Sequence, residues 1–160
     1  MTEIVFNPIG TVHSPFQDPR DMPIQPIGAR GVRGRIELDP AYTAGLKDLE
    51  GFSRVILLYH LHRSKGYALE VVPFLDKTPH GIFATRAPRR PNAIGLSVLK
   101  LVRVDGATLT VEDVDILDGT PVIDIKPYVP AFDAYPDERA GWLAATCETA
   151  RTMRSDDRFC

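Results

Sequence analysis

Proline shapes this sequence more than any other residue type. The chain holds 14 prolines in 160 residues, about 9% where about 5% is typical. A proline removes one backbone N–H and breaks the interior of a helix, so clusters of them disfavour long helices. The prolines lie between short apolar stretches, and an apolar content of 44% argues against disorder. The pattern predicts many short strands joined by shaped loops.

Nine segments, several of them alternating in polarity and rich in Val and Ile, predict the strands. They cover residues 4–6, 10–13, 34–38, 54–61, 69–72, 81–84, 96–104, 108–111 and 122–125. Asp39-Pro40 reads as a cap and first position of one helix. A second helix is expected near Pro136, with one buried face. That face comprises Ala140, Leu143, Ala144, Cys147 and Ala150.

Regularly spaced strands with one or two short helices predict a mainly β fold, a single-domain barrel or coiled sheet without a doubly wound nucleotide-binding unit. We expect residues 1–135 to form the barrel. Residues 136–160 are expected to add a C-terminal helix and tail packed on the same domain, with the tail after Arg154 mobile.

The charge and the terminal segment narrow the classes of function. A net charge of −2 argues against a bulk nucleic-acid binder and leaves room for a local basic patch. The first ten residues lack the pattern of a signal peptide, and the longest aliphatic run, 55–59, is too short to cross a bilayer. Cys147 and Cys160 have no metal-binding spacing. We therefore expect a soluble, cytoplasmic protein with no membrane segment.

The stretch "GIFATRAPRRPNAIG", residues 81–95, places three arginines among two prolines. Like charges repel, and the prolines keep the segment out of a helix. Arginine forks suit carboxylate and phosphate groups. We interpret this stretch as a preorganised ligand loop, although a merely solvated loop is the alternative.

A second stretch, "EDVDILDGTPVIDIKPY", ends in a strand on which Asp124 and Lys126 share one face. They can pair with each other or serve a site at the strand terminus. The acidic residues before them miss the spacing of a calcium loop, because Asp118 stands where that loop needs glycine. A tight turn explains "DGTP" better, since Gly119 can adopt positive φ.

Two further patterns are weaker. "YHLHR" puts His60 and His62 two apart on a predicted strand, without a third ligand at a sensible spacing, so we predict no metal site. "GARGVRG" carries Arg30 and Arg33 between glycines and is expected to form a turn or a substrate-facing loop.

Four blocks together resemble a known family: "PIGTVHSPF", "LEGFSRVILLYHLHR", "GIFATRAPRRPNAIGLSVLKL" and "LDGTPVIDIKPYVP". They look like the tRNA N6-threonylcarbamoyladenosine methyltransferases, TrmO-like proteins also called YaeB- or VirR-like. The likeness covers most of residues 6–133, and the third and fourth blocks are highly specific. It implies a β-barrel methyltransferase that uses S-adenosylmethionine, is commonly a homodimer, and methylates N6 of the modified adenosine beside the anticodon of tRNA.

The resemblance also assigns residues. The implied cofactor pocket comprises Gln25, Pro26, Ile27, His62, Arg63, Arg86, Leu96, Asp118, Gly119, Thr120 and Pro121. The anions of the substrate are expected to meet Arg30, Arg33, Arg89, Arg90 and Asn92. For the chemistry we predict Asp124 as the proton acceptor, with Lys126 and Tyr128 orienting the substrate. Arg63 stands where glutamine can occur, and longer members carry an additional C-terminal domain.

Two other functions stay open. A protein of the same fold could bind S-adenosylmethionine and act on another RNA base or a small molecule. A non-catalytic RNA-binding barrel would share the arginine loop but would need exposed aromatic side chains for base stacking. Near the loop the sequence offers Phe83, which we expect in the core.

Overall fold

Eight strands dominate residues 2–160, the part of the chain that the computed structural model describes. The strands are β1 (Gly10–His13), β2 (Arg33–Leu38), β3 (Arg54–His60), β4 (Glu70–Val71), β5 (His80–Gly81), β6 (Ile94–Asp105), β7 (Thr108–Glu112) and β8 (Thr120–Pro127). Six of them form a closed antiparallel barrel in the order β1-β2-β7-β6-β3-β8, while β4 and β5 pair as a separate hairpin. The predicted mainly β barrel is confirmed.

Aliphatic side chains fill the interior of the barrel. Alternate residues of a strand point to opposite faces, so every second position of the six strands meets in one core. The buried set includes Val12, Ile36, Leu38, Val55, Leu57, Leu99, Leu101, Leu109, Val111 and Val122. In a barrel of six strands the interior is filled by side chains. We therefore expect a binding surface on the outside of the barrel or at its ends.

One end of the barrel, here called the upper end, carries three loops that contain many of the predicted site residues. The register pairs His13 with Arg35, Val12 with Thr120 and His60 with Ile94. The β1–β2 loop (14–32), the β3–β6 excursion (61–93) and the β7–β8 loop (113–119) consequently emerge side by side. Most of the residues expected to bind the cofactor lie in these loops.

Two strand predictions are wrong. Residues 4–6 form no strand and are exposed, because β1 already pairs with β2 and β8 and closure leaves no free edge beside it. Residues 81–84 are also not one strand. The β5 strand ends at Gly81, and Ile82–Ala84 turns into a 3₁₀ helix.

The two predicted helices are short 3₁₀ turns. Asp39 caps the first of them and accepts a hydrogen bond from the Ala41 N–H at 2.9 Å. This 3₁₀ turn covers Pro40–Leu46 and ends before Lys47. A second 3₁₀ turn, Leu49–Gly51, begins after Asp48, whose backbone is left-handed. The remaining helical elements are 3₁₀ segments at Pro26–Ala29, Gly141–Ala145 and Cys147–Arg151, and an α-helix α1 at Pro130–Asp133. Within residues 2–160, none of the helices is long and apolar enough to span a bilayer.

The buried face predicted for the second helix does not form. Ala140, Ala144 and Cys147 are exposed, Leu143 is half-buried, and only Ala150 of the five is buried. A positive φ at Gly141 interrupts the helix. The segment is held instead by contacts with the upper-end loops.

The predicted mobile tail is anchored as well. The Ser155 N–H donates to the Met22 carbonyl at 2.8 Å. The Phe159 ring lies edge-on to Phe74 with centroids 5.1 Å apart. The tail thus joins the β1–β2 loop to the β3–β6 excursion.

A glycine in β6 tests the packing of the core. A Cβ built on Gly95 would overlap the ring of Tyr59, which is buried and hydrogen-bonded to Ser97. Gly95→Ala should lower the free energy of unfolding in urea by about 1–3 kcal/mol. The matched control is Gly45→Ala, whose Cβ meets no atom within 4 Å. Equal stability of Gly95→Ala and the wild type would contradict this placement of Tyr59.

Candidate functional site on the outer wall of the barrel

The outward faces of β6, β3 and β8 form a continuous surface, the outer wall, made by Leu96, Val98, Ile56, Leu58, Asp124 and Lys126. Leu96 is opposite Leu58, and Leu58 is opposite Asp124, so the three lie in one row. With strands about 4.8 Å apart, the ends of that row are about 10 Å apart. A predicted cofactor residue and the predicted proton acceptor therefore flank the same strip of surface.

A β-bulge explains why Asp124 faces outward. Tyr59 pairs with Val122 and Leu58 with Asp124, so Ile123 is an additional residue on β8. Without it, the period of two would turn Asp124 toward the core. The bulge thus delivers a carboxylate to the outer wall.

Asp124 and Lys126 pair, as one of the two interpretations of the sequence anticipated. The Lys126 Nζ lies 2.8 Å from the Asp124 Oδ2, and the Ile125 N–H donates to the Oδ1 at 2.9 Å. The Asp124 side chain remains 43% exposed. Because both side chains are exposed, they remain accessible to a ligand. An exposed ion pair contributes little to the free energy of unfolding.

Beside the outer wall lies a groove of about 340 Å³, the wall groove, lined by Pro26, Ile27, Arg30, Arg54, Val98, Asp113 and Tyr128. It brings together residues predicted for three different roles: Pro26 and Ile27 for the cofactor, Arg30 for the substrate and Tyr128 for the chemistry. A larger cavity of about 600 Å³ on β1 and β2 contains none of the predicted residues. The wall groove is therefore the better candidate.

An ion pair that no local sequence pattern predicts lines the wall groove. The Arg54 Nη2 lies 3.1 Å from the Asp113 Oδ2. Asp113 has a left-handed backbone and is buried, and its Oδ1 accepts from the Gly31 N–H at 2.9 Å. It thereby fixes the β1–β2 loop against the barrel beside Arg30.

Arg86 connects two of the upper-end loops. Its Nη1 donates to the Gln25 Oε1 at 2.8 Å, joining the arginine loop to the residue that precedes Pro26. The side chain is exposed, so its remaining N–H donors can meet an anion. The hydrogen bond thus brings Arg86 and Gln25, two of the residues predicted to bind the cofactor, together.

The "DGTP" turn forms as predicted, with φ of 79° at Gly119. Asp118 accepts from the Ser14 N–H at 3.0 Å and from the Gln17 amide at 3.2 Å, and the Ser14 bond contributes most to lowering the pKa of this carboxyl. Thr120 is buried, with its hydroxyl donating to the Leu117 carbonyl. The turn and Pro121 thus fix the start of β8, and the Asp118 side chain is held by the β1–β2 loop.

His62 and Arg63 follow the end of β3. The strand ends at His60, so the prediction that His60 and His62 share a strand face is wrong. Partial burial lowers the pKa of His62, and the charge of Arg63 adds to that effect. The Ser64 hydroxyl donates to the Pro88 carbonyl at 3.0 Å and ties this turn to the arginine loop. Among residues 2–160, no three His, Cys, Asp or Glu side chains are grouped as metal ligands.

The residues predicted to bind substrate anions differ in their surroundings. Arg90 is turned back on its own loop, where its Nη1 donates to the carbonyls of Ile82, Thr85 and Ala87. Arg33 pairs with Glu112 at 3.1 Å. Arg89 reaches the Cys160 carbonyl at 3.4 Å. Arg30 and Asn92 are exposed, and Arg30 lies at the wall groove.

A buried polar chain beneath the upper end was missed by the sequence analysis. The Tyr59 hydroxyl is 2.9 Å from the Ser97 Oγ, and the Ser97 hydroxyl donates to the Asp115 Oδ1 at 2.7 Å. Burial raises the pKa of Asp115 to about 7, while the charge of Arg86 acts in the opposite direction. Burial also raises the pKa of Tyr59, and Asp115 adds to that shift.

The raised pKa of Asp115 predicts how stability changes with pH. The unfolded carboxyl titrates near 3.8 and the folded one at about 7, so the folded state holds the extra proton between these values. The contribution of this proton to the stability of the fold is complete below the pKa of the unfolded state. It is lost as the pH rises through the pKa of the folded state. Relative to Asp115→Asn, the wild type should lose stability across that window, with a slope of up to about 1.4 kcal/mol per pH unit. Parallel urea-unfolding curves at all pH values would contradict the assignment.

Known proteins share this fold and much of this sequence. The family model described as tRNA-methyltransferase O N-terminal domain matches residues 11–134. A protein of Pyrococcus abyssi named as a probable S-adenosyl-L-methionine-binding protein is 51% identical over 156 residues, which are 98% of this chain and 85% of that protein. The tRNA (adenine(37)-N6)-methyltransferase of Escherichia coli K12 is 34% identical over 152 residues, 89% of this chain and 65% of the E. coli protein.

Among solved structures, the crystal structure of TrmO from Pseudomonas aeruginosa matches with a TM-score of 0.74 and 41% identity. The match covers 89% of this chain and 63% of that one, so the chain spans slightly less than two thirds of this relative and of the E. coli enzyme. Agreement of sequence, family model and fold over most of the chain leads to one conclusion. The chain belongs to the family of the tRNA-methyltransferase O N-terminal domain.

Proposed function

We propose that this protein is an S-adenosylmethionine-dependent tRNA methyltransferase acting on N6 of the adenosine beside the anticodon, with N6-threonylcarbamoyladenosine as its substrate base. The observation that carries the proposal is the meeting of separately predicted groups on one surface. Leu96 and Asp124 lie in one row of the outer wall. Pro26, Ile27 and Tyr128 line the wall groove next to it. The names of the relatives support both the cofactor and the tRNA substrate.

The residues present suit S-adenosylmethionine, which has a carboxylate, a sulfonium cation and an adenine and supplies an electrophilic methyl group. Arg86, positioned by Gln25, offers N–H donors to the carboxylate. Leu96 is 47% exposed and provides an apolar surface for the adenine or the methionine stem. His62, Arg63 and the turn from Asp118 to Pro121 complete the proposed pocket.

The substrate is proposed to approach from the outer wall. Asp124 accepts the proton that N6 releases on methylation, while Lys126, which pairs with Asp124, and Tyr128 orient the substrate. Arg30 at the wall groove and Asn92 meet the threonine carboxylate or nearby phosphates. Arg33, Arg89 and Arg90 also bind these anions, through the guanidinium N–H groups that make no hydrogen bond within the protein. Alignment of N6 with the methyl carbon provides most of the catalysis.

A second copy of the chain is proposed to complete this surface. Ile56, Leu58 and Val98 are half-buried apolar residues on the outside of a barrel, and Ile94 and Leu96 beside them are exposed. Large apolar patches on an outer surface are typical of interaction sites. A homodimer that covers Ile56 and Val98 would leave the row from Leu96 to Asp124 at its edge.

Cofactor binding tests the first half of the proposal. Isothermal titration of S-adenosylmethionine into the purified wild type should give micromolar affinity, and Arg86→Ala should weaken it at least tenfold because the carboxylate loses a charged partner. Arg103→Ala is the matched control, since Arg103 pairs with Asp105 at the far end of β6. Absence of binding at millimolar cofactor would refute the proposed function.

Methyl transfer tests the second half. With radiolabelled cofactor and unfractionated tRNA, Asp124→Asn should lower kcat about 100-fold or more and leave cofactor affinity within threefold of the wild type. Asp105→Asn is the control, because Asp105 also pairs with a basic residue two positions away. A wild-type rate in Asp124→Asn would remove Asp124 from proton transfer. Nucleoside analysis of the labelled tRNA identifies the base, and label that stays out of RNA would favour a small-molecule substrate.

A further inference from the structure

We propose that Phe83 and the β3–β6 excursion form a platform on which unpaired RNA bases stack, on the same excursion as the proposed cofactor residue Arg86. This inference rests on the proposed function and adds the surface through which the RNA is held. It is carried by the exposure of Phe83, the rigidity of the turn that presents it, and the charge of the surrounding segment.

Phe83 is not a core residue, contrary to the expectation from the sequence. Its side chain is 77% exposed, while its neighbour Ile82 is fully buried. The Ile82–Ala84 3₁₀ turn separates the two, with Ile82 anchored inside and Phe83 projecting to solvent. A phenyl ring with this exposure buries little apolar surface and therefore contributes little to the stability of the fold.

The turn that carries Phe83 is held on several sides. The Ile82 N–H donates to the Leu69 carbonyl at 2.9 Å, and the Thr85 hydroxyl donates to the Ile82 carbonyl at 2.9 Å. The Trp142 indole N–H donates to the Ala84 carbonyl at 2.8 Å. A ring fixed in this way binds a partner with little loss of conformational entropy.

Arg90 has two functions in this arrangement. Its Nη1 bonds to the carbonyls of Ile82 and Thr85 keep the turn closed. The same guanidinium carbon lies 5.9 Å from the centroid of the Phe83 ring, a cation–π distance. An aromatic ring beside an arginine is the combination on which nucleic acid bases stack.

The β3–β6 excursion is basic within an acidic protein. Residues 61–93 contain six lysines and arginines and two acidic residues, whereas the whole chain has a net charge of −2. Arg63, Lys65 and Arg86 are exposed. This local excess of positive charge is complementary to phosphates, which provide much of the affinity of RNA binding.

A second exposed aromatic residue lies on the same excursion. Tyr67 is 63% exposed and precedes Ala68, whose N–H donates to the Arg89 carbonyl at 3.3 Å. Single-stranded loops are recognised by stacking their splayed bases on such side chains. The anticodon loop that presents the target adenosine would offer bases of this kind.

The test uses an anticodon stem-loop RNA carrying 2-aminopurine in its loop, whose fluorescence falls when the base stacks. The wild type should bind it with quenching. Phe83→Ala and Phe83→Leu should both weaken binding about tenfold and abolish the quenching, because leucine keeps the apolar bulk but not the ring. Phe83→Tyr should restore both. Tyr42→Ala is the matched control, an exposed aromatic at the opposite end of the barrel.

Steady-state kinetics distinguish a role in RNA binding from a purely structural role of Phe83. In methyl transfer to tRNA, Phe83→Ala should raise KM for tRNA about tenfold with kcat and cofactor affinity unchanged. Unaltered RNA affinity in Phe83→Ala, or full affinity in Phe83→Leu, would overturn the platform. Light scattering that shows a wild-type dimer becoming a monomer in Phe83→Ala would overturn it too, since the ring would then belong to an interface between copies.

The two levels of the proposal fail in different ways. If the wild type methylates tRNA and Phe83→Ala does so with the same KM, the platform is wrong and the proposed function stands. If the wild type binds neither cofactor nor the stem-loop, the proposed function and the platform fall together.

Discussion

Pairing of β1 with β8 closes the sheet, and the rest of the molecule depends on that closure. On its other side β1 lies close to β2 at Gly10, where any Cβ would overlap the backbone of Glu37 and Leu38. Once the barrel is closed, every inward position is committed to the core and no unpaired strand edge remains in it. The binding surface has to be assembled from outward side chains and from the loops of one end. The outer wall, the wall groove and the β3–β6 excursion are the candidates for that surface.

Much of this could be predicted from the sequence because alternation is a local property. The period of two located most of the barrel strands and put Asp124 and Lys126 on one face. The shape of the turn at Gly119 followed from the residues that favour positive φ. The four family-like blocks correctly indicated a barrel of this family, and the family model matches residues 11–134.

The parts that escaped prediction depend on contacts between distant residues. "IFA" has the composition of a strand, but bonds from Arg90 and Trp142 hold it as a turn and expose Phe83. The helix predicted after Pro136 has the right apolar spacing, yet positive φ at Gly141 divides it. Nothing local pairs Arg54 with Asp113, or links Tyr59 through Ser97 to Asp115. Assignments of individual residues to cofactor and substrate remain predictions for the experiments above.

Because the outer wall lies on the convex side of a packed barrel, the residues that would select a substrate are separate from the residues that pack the core. In a buried cleft, a substitution that alters substrate choice also alters the packing that keeps the protein folded. Here the residues that would contact ligand are backed by a layer of strands whose other face holds the core. Changes at the exposed positions of the wall can therefore accumulate with little thermodynamic penalty. A scaffold of this kind is well suited to diverge in substrate while its barrel stays the same.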